Sequence, residues 1–329
     1  YEREDGNRCS EDIAKEIVKF KAENVKGIVI DLRNNGGGSL YEVIQMVGLF
    51  INQGPVVQVR DRDGKSNILS DRQSGTLYDG PLAVMVNEFS ASASEIFAGA
   101  MQDYKRGIVV GSSSTYGKGT VQRNVAFGKP LDSLGIQTEY GAVKLTFQKF
   151  YRISGSSTQK KGVVPDVILP DEYEYLKYRE KDNESALSWD EMERARYNVW
   201  PNNAQLSQVV QVTNSKLQND TALNKFKQNL LWVSSQIETP VYLKLDKYQA
   251  FKKRIQEVSK QNEQALKLKT PMKLAPIKVD YNKFYNNPDK SKQDRYQAWI
   301  KDLAKDFQVN ESSKILAALN KKTTAIVKK

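Results

Sequence analysis

All 20 glycines of this 329-residue chain lie between Gly6 and Gly162, and none follows. Glycine supplies the left-handed backbone of tight turns and bulges, so the first half can carry a turn-rich sheet and the glycine-free remainder is expected to be helical. Charge divides at the same place. Residues 1–170 hold 21 Lys and Arg against 19 Asp and Glu, residues 171–329 hold 29 against 20, and most of the net charge of +11 therefore belongs to the second half. The boundary is expected near Pro170, giving two domains, 1–170 and 171–329, the number that the length also suggests.

Within the first half, apolar periodicity alternates. Ser10 before Glu11 and Asp12 predicts a helix N-cap with an acidic first turn, Ile13, Ile17 and Val18 continue at helical spacing, and Gly27 is expected to close the helix in the left-handed conformation. Ile28 to Leu32, broken only by Asp31, reads as a strand covered on both faces. Leu40, Val43, Ile44 and Val47 return to the helical period, and Val56, Val57 and Val59 predict another strand. A strand from Leu82 to Val86, a helix from about Ser92 to Tyr104 and a strand from Ile108 to Val110 follow. Such α/β alternation implies parallel strands joined by right-handed crossovers, with sites beyond the strands' carboxyl ends. Two loops lie there, Asn34 to Gly38 and Glu88 to Glu95.

Composition removes several chemistries. The chain has no histidine, which excludes a Ser-His-Asp triad, a Cys-His dyad and every histidine-containing zinc site. Its one cysteine, Cys9, excludes all-cysteine metal sites and an internal disulfide, and is expected to be a packed small residue. Gly36 and Gly38 begin a dinucleotide-binding pattern, but Tyr41 occupies its third position. Between Gly111 and Gly119 the spacing is one residue too long for a phosphate loop, and Gly119 follows Lys118 where a Ser or Thr should stand. The apolar runs fall far short of the roughly 18 residues of a membrane span.

What remains is a serine cluster opening a helix, where free N–H groups and the helix dipole stabilise an oxyanion. Without histidine its base would be a lysine or a carboxylate. A lysine serves if desolvation brings its pKa down from about 10.4, and a fall of about three units costs about 4 kcal/mol. Lys118, among Tyr116, Gly117, Gly119 and Val121, suits that demand, although taken alone it also reads as an ordinary loop lysine.

Four stretches occur in order: D-L-R-N-N-G-G-G at Asp31 to Gly38, F-S-A-S-A-S-E-I-F-A at Phe89 to Ala98, Y-G-K-G-T-V-Q at Tyr116 to Gln122, and S-T-Q-K-K-G-V-V-P-D at Ser157 to Asp166. Together they resemble the carboxyl-terminal processing proteases, most closely the tail-specific branch. The resemblance implies an α/β fold, a Clp protease/crotonase-like core with a C-terminal, mainly helical domain, and a serine endopeptidase with a Ser-Lys dyad. It implies Ser92 as nucleophile, Lys118 as base and Gln122 as the residue that hydrogen-bonds the lysine, with Ser90 and Ser94 in capping or packing roles. The oxyanion hole would use the N–H of Ala93 and of a loop glycine, Gly37 aligning ahead of Gly38. No metal or cofactor is implied. One departure is the stretch Gly111-Ser112-Ser113-Ser114-Thr115, one residue longer than the family pattern, which puts 26 positions between Ser92 and Lys118.

The same resemblance implies a periplasmic or cell-envelope location and protein substrates with free, apolar C-terminal tails, adding as a strand beside Val143 to Tyr151. Nothing in the sequence resembles the PDZ domain that family members carry, so a fragment is expected, and an alternative reading is a catalytically silent peptide-binding scaffold. Beyond Asp171, stripes such as Leu223, Phe226 and Leu230 read as helix cores. The lysine-rich helical faces leave contact with an adaptor protein or a peripheral membrane surface open, and no nucleic-acid module is recognised.

Overall fold

The computed structural model describes residues 8–128, 140–201, 203–237 and 239–327. Helix α1 (Cys9–Ala22) leads into strand β1 (Ile28–Asp31), followed by α2 (Leu40–Gly48), β2 (Gly54–Asp61), β3 (Ser66–Asp71), β4 (Leu82–Val86), α3 (Ala93–Asp103) and β5 (Ile108–Gly111). The long hairpin β6 (Thr120–Ala126) and β7 (Ala142–Tyr151) and the short β8 (Val167–Ile168) complete the sheets. Five α-helices follow: α4 (Leu206–Gln218), α5 (Thr221–Ile237), α6 (Leu245–Leu266), α7 (Lys290–Leu303) and α8 (Phe307–Val327).

The parallel sheet runs in the order β1-β4-β5-β8, with Ile28 beside Leu82 and Ala83 beside Ile108. All five residues of β4 are buried, as its unbroken apolar run predicts. The strand at Val56 to Val59 departs from expectation: it joins a second, antiparallel sheet of order β3-β2-β7-β6. A tight turn closed by the Gly64 N–H on the Asp61 carbonyl returns the chain at once, and so short a connection permits only antiparallel pairing.

Two details at α1 also correct the sequence reading. Ser10 lies inside the helix, where its N–H and hydroxyl both donate to the buried Glu42 carboxylate of α2, at 3.0 and 2.8 Å. The left-handed residue after the helix is Asn24 (φ 54°), not Gly27. Gly27 is needed for close approach instead, because a Cβ there would lie 3.0 Å from the Leu316 side chain of α8.

That contact belongs to the packing on one face of the parallel sheet. There Ala83, Ile108, Val110 and Val167 are covered by Val209 and Leu217 of α4, Leu223 of α5, and Ile315, Leu316 and Leu319 of α8. The other face packs Val84, Val86 and Val109 against Val47 of α2 and Ile96, Phe97 and Met101 of α3. Residues 170–201 run without an α-helix, and the part around Trp189 to Ala195 lies against the antiparallel sheet and the residues that follow it. Trp189 Nε1 donates to the Ser157 carbonyl at 2.9 Å, Asp190 pairs with Lys149 at 2.8 Å and with Arg60, and Ala195 N–H donates to Ile153. No described helix is long and apolar enough to cross a membrane.

Because α8 closes the sheet from the far end of the chain, the two halves share one core. Ile315→Ala should cost about 2–5 kcal/mol, as for any buried aliphatic truncation. Circular dichroism and tryptophan fluorescence should report one shifted transition in urea. Loss of helical signal ahead of the sheet would show that α8 is dispensable to the core.

Candidate active site

The two loops predicted to carry chemistry meet where β1 and β4 end. Asn87 laces them: its Oδ1 accepts from the N–H of Asn34 (2.9 Å) and Phe89 (3.2 Å), and its Nδ2 donates to Asn34 Oδ1 (2.9 Å). Two of the three clustered serines serve the same lacing. Ser90 is fully buried and its hydroxyl donates to the Leu32 carbonyl at 2.7 Å, while Ser94 donates to the Asn35 carbonyl at 2.9 Å. Ser92 differs from both. It sits at the first turn of α3 with φ 57° and ψ −115°, a backbone that a non-glycine residue adopts at a cost of about 1–3 kcal/mol. Such a sharp turn from strand to helix lifts a hydroxyl clear of the backbone.

Glu95 holds the strained turn. Its carboxylate, wholly buried, accepts from Ser92 N–H at 2.8 Å, Thr115 Oγ1 at 2.6 Å, Gly117 N–H at 2.7 Å and Lys118 N–H at 3.0 Å. One side chain thus joins the serine turn to the lysine loop. Burial drives its pKa up to about 7 against the pull of those four donors. In the sequence Glu95 closes the serine motif with no role of its own. The Ser-x-x-Glu spacing at a helix start is the signal that was available for it, whereas Thr115 had none.

Lys118 is clamped from the other side by the Ser157 to Gly162 stretch. Thr158 Oγ1 donates to the Lys118 carbonyl at 2.9 Å, Gly119 N–H donates to Gln159 Oε1 at 2.8 Å, and Lys160 N–H donates to the Gly117 carbonyl at 2.8 Å. Gly117 (φ 93°) and Gly119 admit this contact, since a Cβ on Gly119 would stand 2.7 Å from the Gln159 nitrogen. The Lys118 amine is half-buried, and burial lowers its pKa below the ordinary 10.5, assisted by the Lys144 charge and opposed by Glu180 and Glu95. The extra residue of the Gly111 to Thr115 stretch is absorbed away from the lysine. There Ser113 N–H donates to Glu174 at 3.1 Å and Arg179 Nη2 to the Ser114 carbonyl at 3.3 Å.

Of the two loop glycines, the structure brings Gly37 to the serine turn. At φ 100° it lies so close that a Cβ would meet the Ala91 carbonyl at 2.7 Å, Ser92 Cβ at 2.8 Å and Ala93 N at 2.9 Å, whereas Gly38 faces open space. The Gly37 N–H donates to Asn35 Oδ1 at 2.9 Å. Gln122 is exposed on β6, and its Nε2 donates to Thr146 Oγ1 of β7 at 3.2 Å, so the bond it makes runs across the hairpin rather than to the lysine. Gly37 and Ala93 also border a cavity of about 410 Å³ whose apolar wall includes Ile30, Leu32, Val43, Met46 and Phe97. Cys9 lies on its rim, half-buried. No cluster of metal-binding side chains occurs among the described residues.

Residues 5–169 match the family described as Peptidase family S41, and residues 173–320 match that described as C-terminal domain of tail specific protease. The chain is 44% identical over 209 residues to the tail-specific protease of Haemophilus influenzae, covering 63% of this chain and 29% of that protein. It is 39% identical over 160 residues to the carboxy-terminal-processing protease of Bartonella bacilliformis, covering 47% of this chain and 34% of that protein. The chain thus spans about a third of the length of these relatives. Among solved structures, the photosystem II D1 C-terminal processing protease aligns at 33% identity with a TM-score of 0.42, covering 50% of this chain and 40% of that one.

Glu95→Gln tests the joint between the loops. It sets an amide NH₂ against N–H donors, and each buried donor left without an acceptor costs about 1–3 kcal/mol. Thermal unfolding should show a clear loss of stability relative to Ser92→Ala, which removes no such bond. Equal stability of the two variants would mean that the carboxylate does not hold the loops together.

Proposed function

The chain belongs to peptidase family S41, and on that premise we propose that it carries the catalytic machinery of a serine endopeptidase in which Ser92 attacks and Lys118 is the base. The observation that carries this reading is the Glu95 carboxylate, which ties the strained Ser92 turn and the Lys118 backbone into one unit.

The chemistry follows from the arrangement. A neutral Lys118 amine takes the proton of the Ser92 hydroxyl as its oxygen adds to the scissile carbonyl. The N–H groups of Ala93 and Gly37 receive the developing oxyanion, the substrate oxygen replacing Asn35 Oδ1 as acceptor at Gly37. The lysine ammonium returns its proton to the leaving amine, and water then cleaves the acyl-enzyme. The half-burial of Lys118 supports its role, because a solvated lysine would stay protonated near neutral pH.

The substrate class is a protein with an accessible apolar tail. The cavity bordered by Gly37 and Ala93 suits an apolar side chain next to the bond being cut, and the β6–β7 hairpin presents strand backbone for pairing an extended chain. We place residues 1–170 as the catalytic domain and residues 171–329 as the helical domain, with the periplasmic or cell-envelope location that the motif resemblance implies.

Incubation with an unfolded protein ending in an apolar tail should yield cleavage that falls by about 10³-fold or more in both Ser92→Ala and Lys118→Ala. The acid limb of kcat/KM should titrate with a midpoint below 10.5, since activity requires the neutral amine and falls as pH falls through the lowered lysine pKa. Cleavage that survives either substitution would refute the dyad.

A further inference from the structure

Glu88 lies in the turn between β4 and Ser92, 1% exposed, and neither of its carboxylate oxygens has a hydrogen-bond partner among the described residues. An ionised carboxylate is not held in such a place without donors; it takes up a proton. The groups that act on Glu88 come from two other elements. Asp171 faces it from the segment after β8, placed for a carboxyl–carboxylate hydrogen bond once one of the two is protonated, and Ser112 faces it from the residue after β5. Ser112 directs its own proton to the Ser114 carbonyl at 3.2 Å. Asp171 is held in place by Tyr173 N–H at 2.9 Å and by Gln308 Nε2 of α8 at 3.4 Å. Beyond Gln308 stands Arg33, already paired with Asp31 at 2.7 Å and Asp306 at 2.8 Å.

We propose that Glu88 is a positioning residue that, when protonated, donates a hydrogen bond from its O–H to the Asp171 carboxylate and latches residues 171–182 across the turn carrying Ser92. The segment is built to transmit that state to both loops. Tyr173 and Tyr178 pack on Phe89 at ring separations of 5.9 and 6.2 Å. Glu180 N–H donates to the Tyr116 carbonyl at 2.9 Å, and Tyr116 N–H donates to Ser90 at 3.0 Å. Arg179, paired with Glu174 at 3.1 Å, secures the Ser113–Ser114 bend between them.

The latch weakens as pH rises. Burial, with the Asp171 charge behind it, brings Glu88 up to about 7 from its ordinary 4.5. The latched form therefore holds a proton that the open form has lost, and it loses ground from pH 4.5 through about 7 and beyond until Glu88 is fully ionised in both forms. With those two values the latch equilibrium shifts about tenfold toward the open form between pH 6 and pH 8. That the turn it covers carries a nucleophile rests on the peptidase reading; the latch itself does not.

Hydrogen exchange of amides 173–182, corrected for intrinsic rates, tests it in the whole chain. Wild-type protection should drop about tenfold from pH 6 to pH 8. Glu88→Gln, which keeps a donor at every pH, should flatten that dependence, and Asp171→Asn, which removes the opposing charge but leaves the burial, should reduce it and decides the matter if Glu88→Gln does not fold. Equal wild-type protection at both pH values, or a pH dependence unchanged in the folded variants, would overturn the proposal. If exchange follows the prediction while no form of the chain cleaves protein, the latch stands and the peptidase reading falls.

Discussion

Four hydrogen-bond donors from two separate loops converge on the Glu95 carboxylate, and the rest of the site depends on that convergence. A positive φ at Ser92 is unfavourable for a side chain with a Cβ, and it persists only where the surroundings over-determine it. Glu95 supplies that determination from one turn into α3, and the same oxygens fix the backbone of Lys118. The Ser92 turn and the Lys118 backbone are therefore positioned by one buried group, and the distance between them in sequence matters little. This is why an additional residue between β5 and Lys118 is tolerated: it bends outward at Ser113 and Ser114, where Arg179 and Glu174 receive it.

Much of the core was legible from its apolar period. The runs at Ile28 and Leu82 could only be strands covered on both faces, and the helix beginning at Ser92 has the predicted extent. The antiparallel sheet was not legible in the same way, because Val56 to Val59 carries no mark of its partner and pairing was decided by the turn at Gly64. Ser10 looked like a cap in sequence, but Glu42 of α2 takes both of its donors. Local signals give way where a distant buried acceptor offers more.

The site was partly legible. Motifs singled out Ser92, Lys118 and the glycine loop with Gly37 ahead of Gly38, and the geometry agrees: a Cβ on Gly37 would collide with the serine turn, whereas one on Gly38 would meet nothing within 4 Å. Glu88 left no trace in sequence, since its meaning comes from Asp171, 83 positions away on the segment that wraps the core. The glycine-free half is helical only from Leu206 on, with residues 170–201 irregular apart from one short turn, and α4 and α8 also cover a face of the parallel sheet. The sequence boundary at Pro170 thus falls inside a continuous region of packing.

Covalent labelling measures the central claim most directly. A fluorophosphonate that reacts with activated serines, followed by peptide mass spectrometry, should modify Ser92 alone among Ser90, Ser92 and Ser94, and Lys118→Ala should suppress the adduct. An adduct on Ser90 or Ser94, or labelling of Ser92 at an unchanged rate without the lysine, would contradict the account.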